Sequence, residues 1–187
     1  AQPMNEIAVC AGTAGVDLAL DLCALLGVDL KPSRIQRFAN DCLEAQLLTN
    51  CRQRDVFIVQ PLVAPVQENL MELLLMIDAA RGASAGRITA VIPHYSYARS
   101  DKKDAPRISI GGRLVADLLQ ASGADRVLTM TLHSPQVHGM IEMPVDHLSP
   151  NHVLARHFRQ RDLSNAVVVS PDFGNVKEAS HFARLLD

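Results

Sequence analysis

The chain reads as an α/β protein, a mainly parallel sheet with helices on both faces, and three observations predict this. Short apolar runs such as 55–60 and 87–92 lack strict alternation, the character of strands covered on both sides. Longer segments carry apolar residues at helical spacing; in 66–80, Leu70, Leu73, Leu74 and Ile77 share one face. The two kinds of segment alternate along the chain, the order that βαβ units require.

Taken in order, 7–11 is a short strand that leads through Gly12-Thr13-Ala14-Gly15 into a helix with apolar positions Leu18, Leu22, Leu25 and Leu26. Gly27 stands at the C′ place, where left-handed backbone closes a helix at least steric cost. Residues 43–48 fit a strand of an antiparallel flap, 55–60 a buried strand, 66–80 a helix and 87–92 the next strand. Beyond a charged loop the pattern predicts a helix over 110–121, a strand over 126–131, a helix over 151–161, a strand over 166–170 and a helix over 175–186. No repeat, low-complexity stretch or linker interrupts the series.

Composition narrows the function. At 187 residues and 48% apolar, the chain suits one domain with a sizeable core, or one domain and part of another. Lysine and arginine number 18 against 20 acidic residues, so no global basic field exists for nucleic acid; anion binding must be local and the partner small. Cys10, Cys23, Cys42 and Cys51 show no paired or zinc spacing, and Cys10 and Cys23 sit in apolar segments, which fits a reducing cytoplasm. Apolar runs such as 73–77 are far too short to cross a bilayer, and the first residues have no charged or apolar leader pattern, so neither a membrane anchor nor an export signal is read.

The most informative stretch is His94 to Asp104, where a buried strand gives way to aromatic, hydroxyl and charged residues. In open α/β sheets ligands bind outside the carboxyl ends of the strands, and Arg99, Lys102 and Lys103 there favour a polyanion such as a nucleotide phosphate; a merely solvated loop is the alternative. His133 and Asp172 each follow a predicted strand and combine nitrogen and oxygen donors suited to a divalent ion beside a phosphate. Their competing readings are a loop histidine and a helix cap. Gly174-Asn175 opens a helix, and Arg37 to Cys42 is a polar turn whose Phe38 either stacks on a base or packs.

Arg37-Phe38, the 55–60 strand ending in Gln60, the run from Glu68 through Glu72 to Ala79, Tyr97-Ala98-Arg99, Asp101-Lys102-Lys103-Asp104, Leu132-His133 and Ser170-Pro171-Asp172 together closely resemble ribose-phosphate pyrophosphokinase, also called phosphoribosyl pyrophosphate synthetase. Several ordered motifs over nearly the whole chain are far more specific than a single glycine loop. The resemblance implies a phosphoribosyltransferase-like domain. It also implies transfer of the diphosphoryl group of Mg-ATP to ribose 5-phosphate, giving phosphoribosyl pyrophosphate and AMP for nucleotide biosynthesis. Carried over by position, Phe38 stacks on adenine across a dimer interface, Asn40, Asp41 and Cys42 form the adenine turn, and Arg99, Ser100, Asp101, Lys102 and Lys103 bind the nucleotide. His133 and Asp172 fall where the family holds Mg2+. A homodimer or homohexamer is expected.

Four positions depart from the family pattern. Asp41 stands for Gly and Cys42 for Glu, which removes a carboxylate expected to accept from the adenine amino group; Ser100 stands for Gln and Thr131 for Asp. The 187 residues match the amino-terminal synthetase domain, and the family's catalytic loop and ribose 5-phosphate loop have no counterpart here, so no catalytic residue is assigned and the chain alone is expected to be inactive. The departures leave a non-catalytic, synthetase-like regulatory subunit as the alternative function. A phosphoribosyltransferase ranks last, for want of the acidic Thr/Gly loop.

Overall fold

A computed structural model describes residues 6–186. They divide into two compact units, one ending at Leu148 and one beginning at Ser149. In chain order the first unit contains β1 (Ile7–Ala11), α1 (Val16–Leu26), β2 (Ser33–Arg37), β3 (Leu43–Leu47), β4 (Asp55–Val59), α2 (Val66–Gly82), β5 (Arg87–Ile92), α3 (Gly111–Ser122), β6 (Arg126–Met130) and β7 (Val145–Leu148). One sheet runs β1-β4-β5-β6-β7 with every neighbouring pair parallel, and β2-β3 is a separate antiparallel hairpin.

The strand period of two sorts the sheet residues between its faces. Ala8, Cys10, Val56, Ile58, Ala90 and Val127 join Leu73 and Ile77 of α2 and Val115 and Leu119 of α3 in one core. Val9, Ala11, Val59 and Val91 join Ala19 and Cys23 of α1 in another. Helices thus cover both faces, as the uninterrupted apolar strands require.

Several details differ from the sequence reading. Helix α1 seats its small residues Ala19 and Cys23 on the sheet, which leaves Leu18, Leu25 and Leu26 exposed and Leu22 half-buried. Helix α2 is rotated so that Asn69, Glu72, Leu73, Met76, Ile77 and Ala80 are its buried stripe, with Leu70 and Leu74 at the margin. The flap strand at Leu43–Leu47 pairs with β2, and edge strand β7 closes the sheet; neither partner announces itself, because short half-exposed strands have weak patterns. Strand β6 stops at Met130, since Thr131 has φ 51°, a left-handed backbone no strand can contain.

The second unit contains α4 (Asn151–Phe158) and α5 (Val176–Leu186). Phe158 meets Phe182 edge to face at 6.2 Å, the Arg161 guanidinium lies over Phe158, and Ala155 is buried. The strand expected over 166–170 is not formed: the segment is without ladder partners among the described residues, and Val167 and Val169 are exposed. A short run of β-branched residues specifies a strand only where another backbone is there to bond.

Candidate functional site

The turn between β2 and β3 is closed by its own backbone. The Phe38 N–H donates to the Cys42 carbonyl and the Asp41 N–H to the Phe38 carbonyl, both at 2.9 Å, and Asn40 Oδ1 accepts from the Cys42 N–H at 3.2 Å. Asp41 sits at φ 70°, which explains why aspartate can replace glycine there: its short polar side chain is among the few that tolerate left-handed backbone. That carboxylate pairs with the Arg37 guanidinium, which also reaches Glu68 on α2. The Asp41 hydrogen bond and the charge of Glu68 raise the Arg37 pKa above its ordinary value. Asp41 is therefore committed to holding the turn, while Phe38, 43% exposed, and Cys42 face solvent. Cys42 opens onto a groove between hairpin and helix lined by Leu43, Gln67, Glu68 and Met71.

The basic loop follows β5. Arg99 ends a 3-10 turn and is exposed, as are Lys102, whose Nζ lies 3.5 Å from Asp104, and Lys103. Ser100 staples the loop onto α3: its Oγ accepts from the Gly111 N–H at 2.8 Å and its carbonyl from the Gly112 N–H at 3.0 Å. A Cβ on Gly111 would stand 3.2 Å from that Oγ, so a small pair of residues makes this closure. Ser134 Oγ donates to Asp101 Oδ2 at 2.6 Å, and this bond first, with smaller help from Lys102 and His133, keeps the Asp101 carboxyl below its usual range.

Through that bond the basic loop is joined to the turn after β6, where His133 is exposed between buried Leu132 and buried Ser134. Because β5 and β6 are neighbours and parallel, both loops leave the carboxyl edge of the sheet. Asp172 belongs to the second unit and is exposed; its Oδ1 accepts from the Asn175 N–H at 3.0 Å and from the Asn175 side-chain amide at 2.9 Å, capping the turn before α5. The cap reading of Asp172 is thus realised on one oxygen, and Oδ2 accepts no hydrogen bond among the described residues. The expected strand end that was to present Asp172 is absent. No group of three or more His, Cys, Asp or Glu fit to hold a metal occurs among the described residues.

A buried polar cluster at the β1 exit carries more of the local order than its sequence signal conveys. Gln60, wholly buried, accepts from the Ala14 N–H at 3.1 Å and donates to Glu72 Oε2 at 2.8 Å; Glu72 Oε1 accepts from the Thr13 N–H and Oγ1 at 2.9 and 2.6 Å. Asn69 donates to the Val63 carbonyl at 2.8 Å. The Gly12–Gly15 turn therefore spends its amides on protein acceptors. The available signal was helical phase, which sets Asn69 and Glu72 in line with Leu73, Met76 and Ile77.

Comparison with known proteins bears on the family and the fold. Residues 7–123 match the family model for the N-terminal domain of ribose phosphate pyrophosphokinase. A Streptomyces coelicolor member is 72% identical over 183 residues, and the Deinococcus radiodurans ribose-phosphate pyrophosphokinase is 59% identical over 185 residues. Each alignment covers 98% of this chain and 58% of the relative, so the chain spans a little over half their length. The crystal structure of phosphoribosylpyrophosphate synthetase from Mycobacterium smegmatis superposes with a TM-score of 0.92 at 39% identity, covering 97% of this chain and 61% of that one. On the sequence match, the fold and the order of its site loops, the chain belongs to the ribose-phosphate pyrophosphokinase family.

Proposed function

We propose that this chain forms the nucleotide-holding part of a ribose-phosphate diphosphokinase, which transfers the diphosphoryl group of Mg-ATP to ribose 5-phosphate and yields phosphoribosyl pyrophosphate and AMP for nucleotide biosynthesis. The observation that carries the reading is the Asp101–Ser134 bond, which unites the basic loop 99–103 with the His133 turn at adjacent strand ends. Arg99, Lys102 and Lys103 hold the ATP phosphates and neutralise their charge; reactions of this class depend chiefly on such positioning. Ser100 and Asp101 shape the loop, and Phe38 with Asn40, Asp41 and Cys42 receives the base.

His133 offers a nitrogen donor and Asp172 an oxygen that accepts no hydrogen bond among the described residues, each a donor for Mg2+, which keeps several waters and takes one or two protein donors besides the substrate phosphates. Such an ion would neutralise charge on the ATP phosphates. The adenine turn is anchored on α2 and the phosphate loop on α3, so the turn of one protomer serving the loop of another, in a homodimer or homohexamer, fits both anchorages. Four unpaired thiols suit a reducing cytoplasm, and no helix among the described residues is long and apolar enough to cross a membrane.

The regulatory-subunit reading keeps one point in its favour: Asp41 and Ser100 are both spent on holding their own loops. An assay of AMP release dependent on ribose 5-phosphate, with ATP and Mg2+, separates the two. The expected result is silence from the 187-residue chain and turnover from a polypeptide of the relatives' full length that contains it. A silent long polypeptide favours the regulatory subunit, and sustained turnover by the 187 residues alone overturns the division of labour proposed.

A further inference from the structure

We infer that His147 is a positioning residue for His133, acting through the peptide that joins Thr131 to Leu132. The inference rests on the proposed metal-side role of His133. Thr131 has φ 51°, and a β-branched side chain is disfavoured in left-handed backbone, so neighbouring contacts must hold this conformation in place. The contacts come from edge strand β7. The Thr131 N–H donates to the Leu148 carbonyl at 3.0 Å, and the next amide, that of Leu132, donates to Nε2 of His147 at 2.9 Å. Two successive amides of the reversal are therefore fixed by two successive residues of one strand.

The acceptor is itself held. His147 lies opposite Thr129 in the β6–β7 register, and the ring of His138 stands edge-on to its imidazole with centroids 6.3 Å apart. Accepting at Nε2 places the neutral ring's proton on Nδ1. On the far side of His133, buried Ser134 is tied to Asp101. His133 is thus the exposed residue between two anchors: the His147 bond at Leu132 fixes its backbone from the β7 side, and the Ser134 bond from the phosphate-loop side. A group that must meet an ion bound to substrate gains from such preorganisation, since small displacements of a ligand cost affinity. β7 thereby has a functional duty beyond closing the sheet.

The experiment compares His147→Phe, which keeps an aromatic ring but removes the acceptor, with His147→Asn, which restores one. Two readouts are taken on the 187-residue chain: hydrogen exchange of the Leu132 amide, and Mn2+ affinity in the presence of ATP, followed by paramagnetic broadening at His133. His147→Phe is expected to speed Leu132 exchange and weaken Mn2+ binding, each about tenfold, the scale of one hydrogen bond, with a fall of a few degrees in Tm; His147→Asn recovers most of these losses. Should His147→Phe fail to fold, the pair Thr131→Gly and Thr131→Gly/His147→Phe replaces it. Glycine accepts this backbone unaided, so the double variant is expected to fold and, having lost the same acceptor, to exchange at Leu132 about tenfold faster than Thr131→Gly. Unchanged exchange and unchanged Mn2+ affinity in His147→Phe, or no recovery in His147→Asn, overturns the positioning role. Wild-type broadening at His133 with affinity unaltered in His147→Phe overturns that role alone, whereas no broadening at His133 in the wild type overturns the metal reading on which it stands.

Discussion

Replacing Glu72 by glutamine isolates the buried cluster beneath the β1 exit. The wild-type bonds have a fixed polarity: the Ala14 N–H needs Gln60 Oε1, which turns Gln60 Nε2 toward Glu72, and Glu72 must accept there while also accepting twice from Thr13. A carboxylate does this because all its sites are acceptors. Glutamine at 72 leaves one donor facing another in either amide orientation, at wholly buried Gln60 or at exposed Thr13; if Gln60 flips to compensate, the mismatch moves to the half-buried Ala14 amide. At wholly buried Gln60 water cannot relieve the mismatch, and an unmet buried donor costs about 1–3 kcal/mol; a mismatch displaced to exposed Thr13 falls at the low end of that range. For a chain of this size that is a fall of roughly 3–10 °C in Tm, read by thermal unfolding at fixed pH. Glu68→Gln, on the exposed side of the same helix, should cost about 0–1 kcal/mol and serves as the control. A Glu72→Gln protein within about 0.5 kcal/mol of wild type would refute the assigned polarity.

Other consequences are open to direct measurement. Cys42 alone should react with a thiol reagent in the folded chain, because Cys10, Cys23 and Cys51 are buried and burial pushes the Cys10 thiol up to about 12; labelling of more than one cysteine before unfolding would contradict the core described. Gly15→Ala should unfold or severely destabilise the protein, since its Cβ would stand 2.1 Å from the Val59 carbonyl oxygen. Gly27→Ala, with open space around it but φ 67°, should cost only about 1 kcal/mol in a denaturation series. Ser134→Ala should raise the Asp101 pKa in a carboxyl-carbon NMR titration. The sign follows from the depressed folded-state value: the stability Asp101 adds is present above its unfolded pKa, near 4, and is lost as pH falls through the lower folded value. An unmoved titration would show that Ser134 is not the cause.

By itself the sequence determined what depends on local pattern. Short, mostly apolar runs at 7–11, 55–59 and 87–92, set between helical patterns, read as strands of a covered sheet, and Gly27 ended α1 where left-handed backbone was needed. The placement of the loop Arg99 to Lys103 and of His133 at the carboxyl edge of the sheet was legible because each follows a strand of the alternating α/β pattern. Tertiary structure decided everything that needs a partner distant in the chain. It gave 43–47 a mate at 33–37 and gave 166–170 none among the described residues, and it set the phase of α2, so that Glu72 turned inward to Thr13 and Gln60 while Leu70 and Leu74 moved to the margin. Nothing near Thr131 in the chain foretells its left-handed backbone, because the bonds that hold it come from His147 and Leu148, across a strand pairing that only the folded sheet creates. A residue's own propensity is a local property; the partner that overrules it is chosen by the topology.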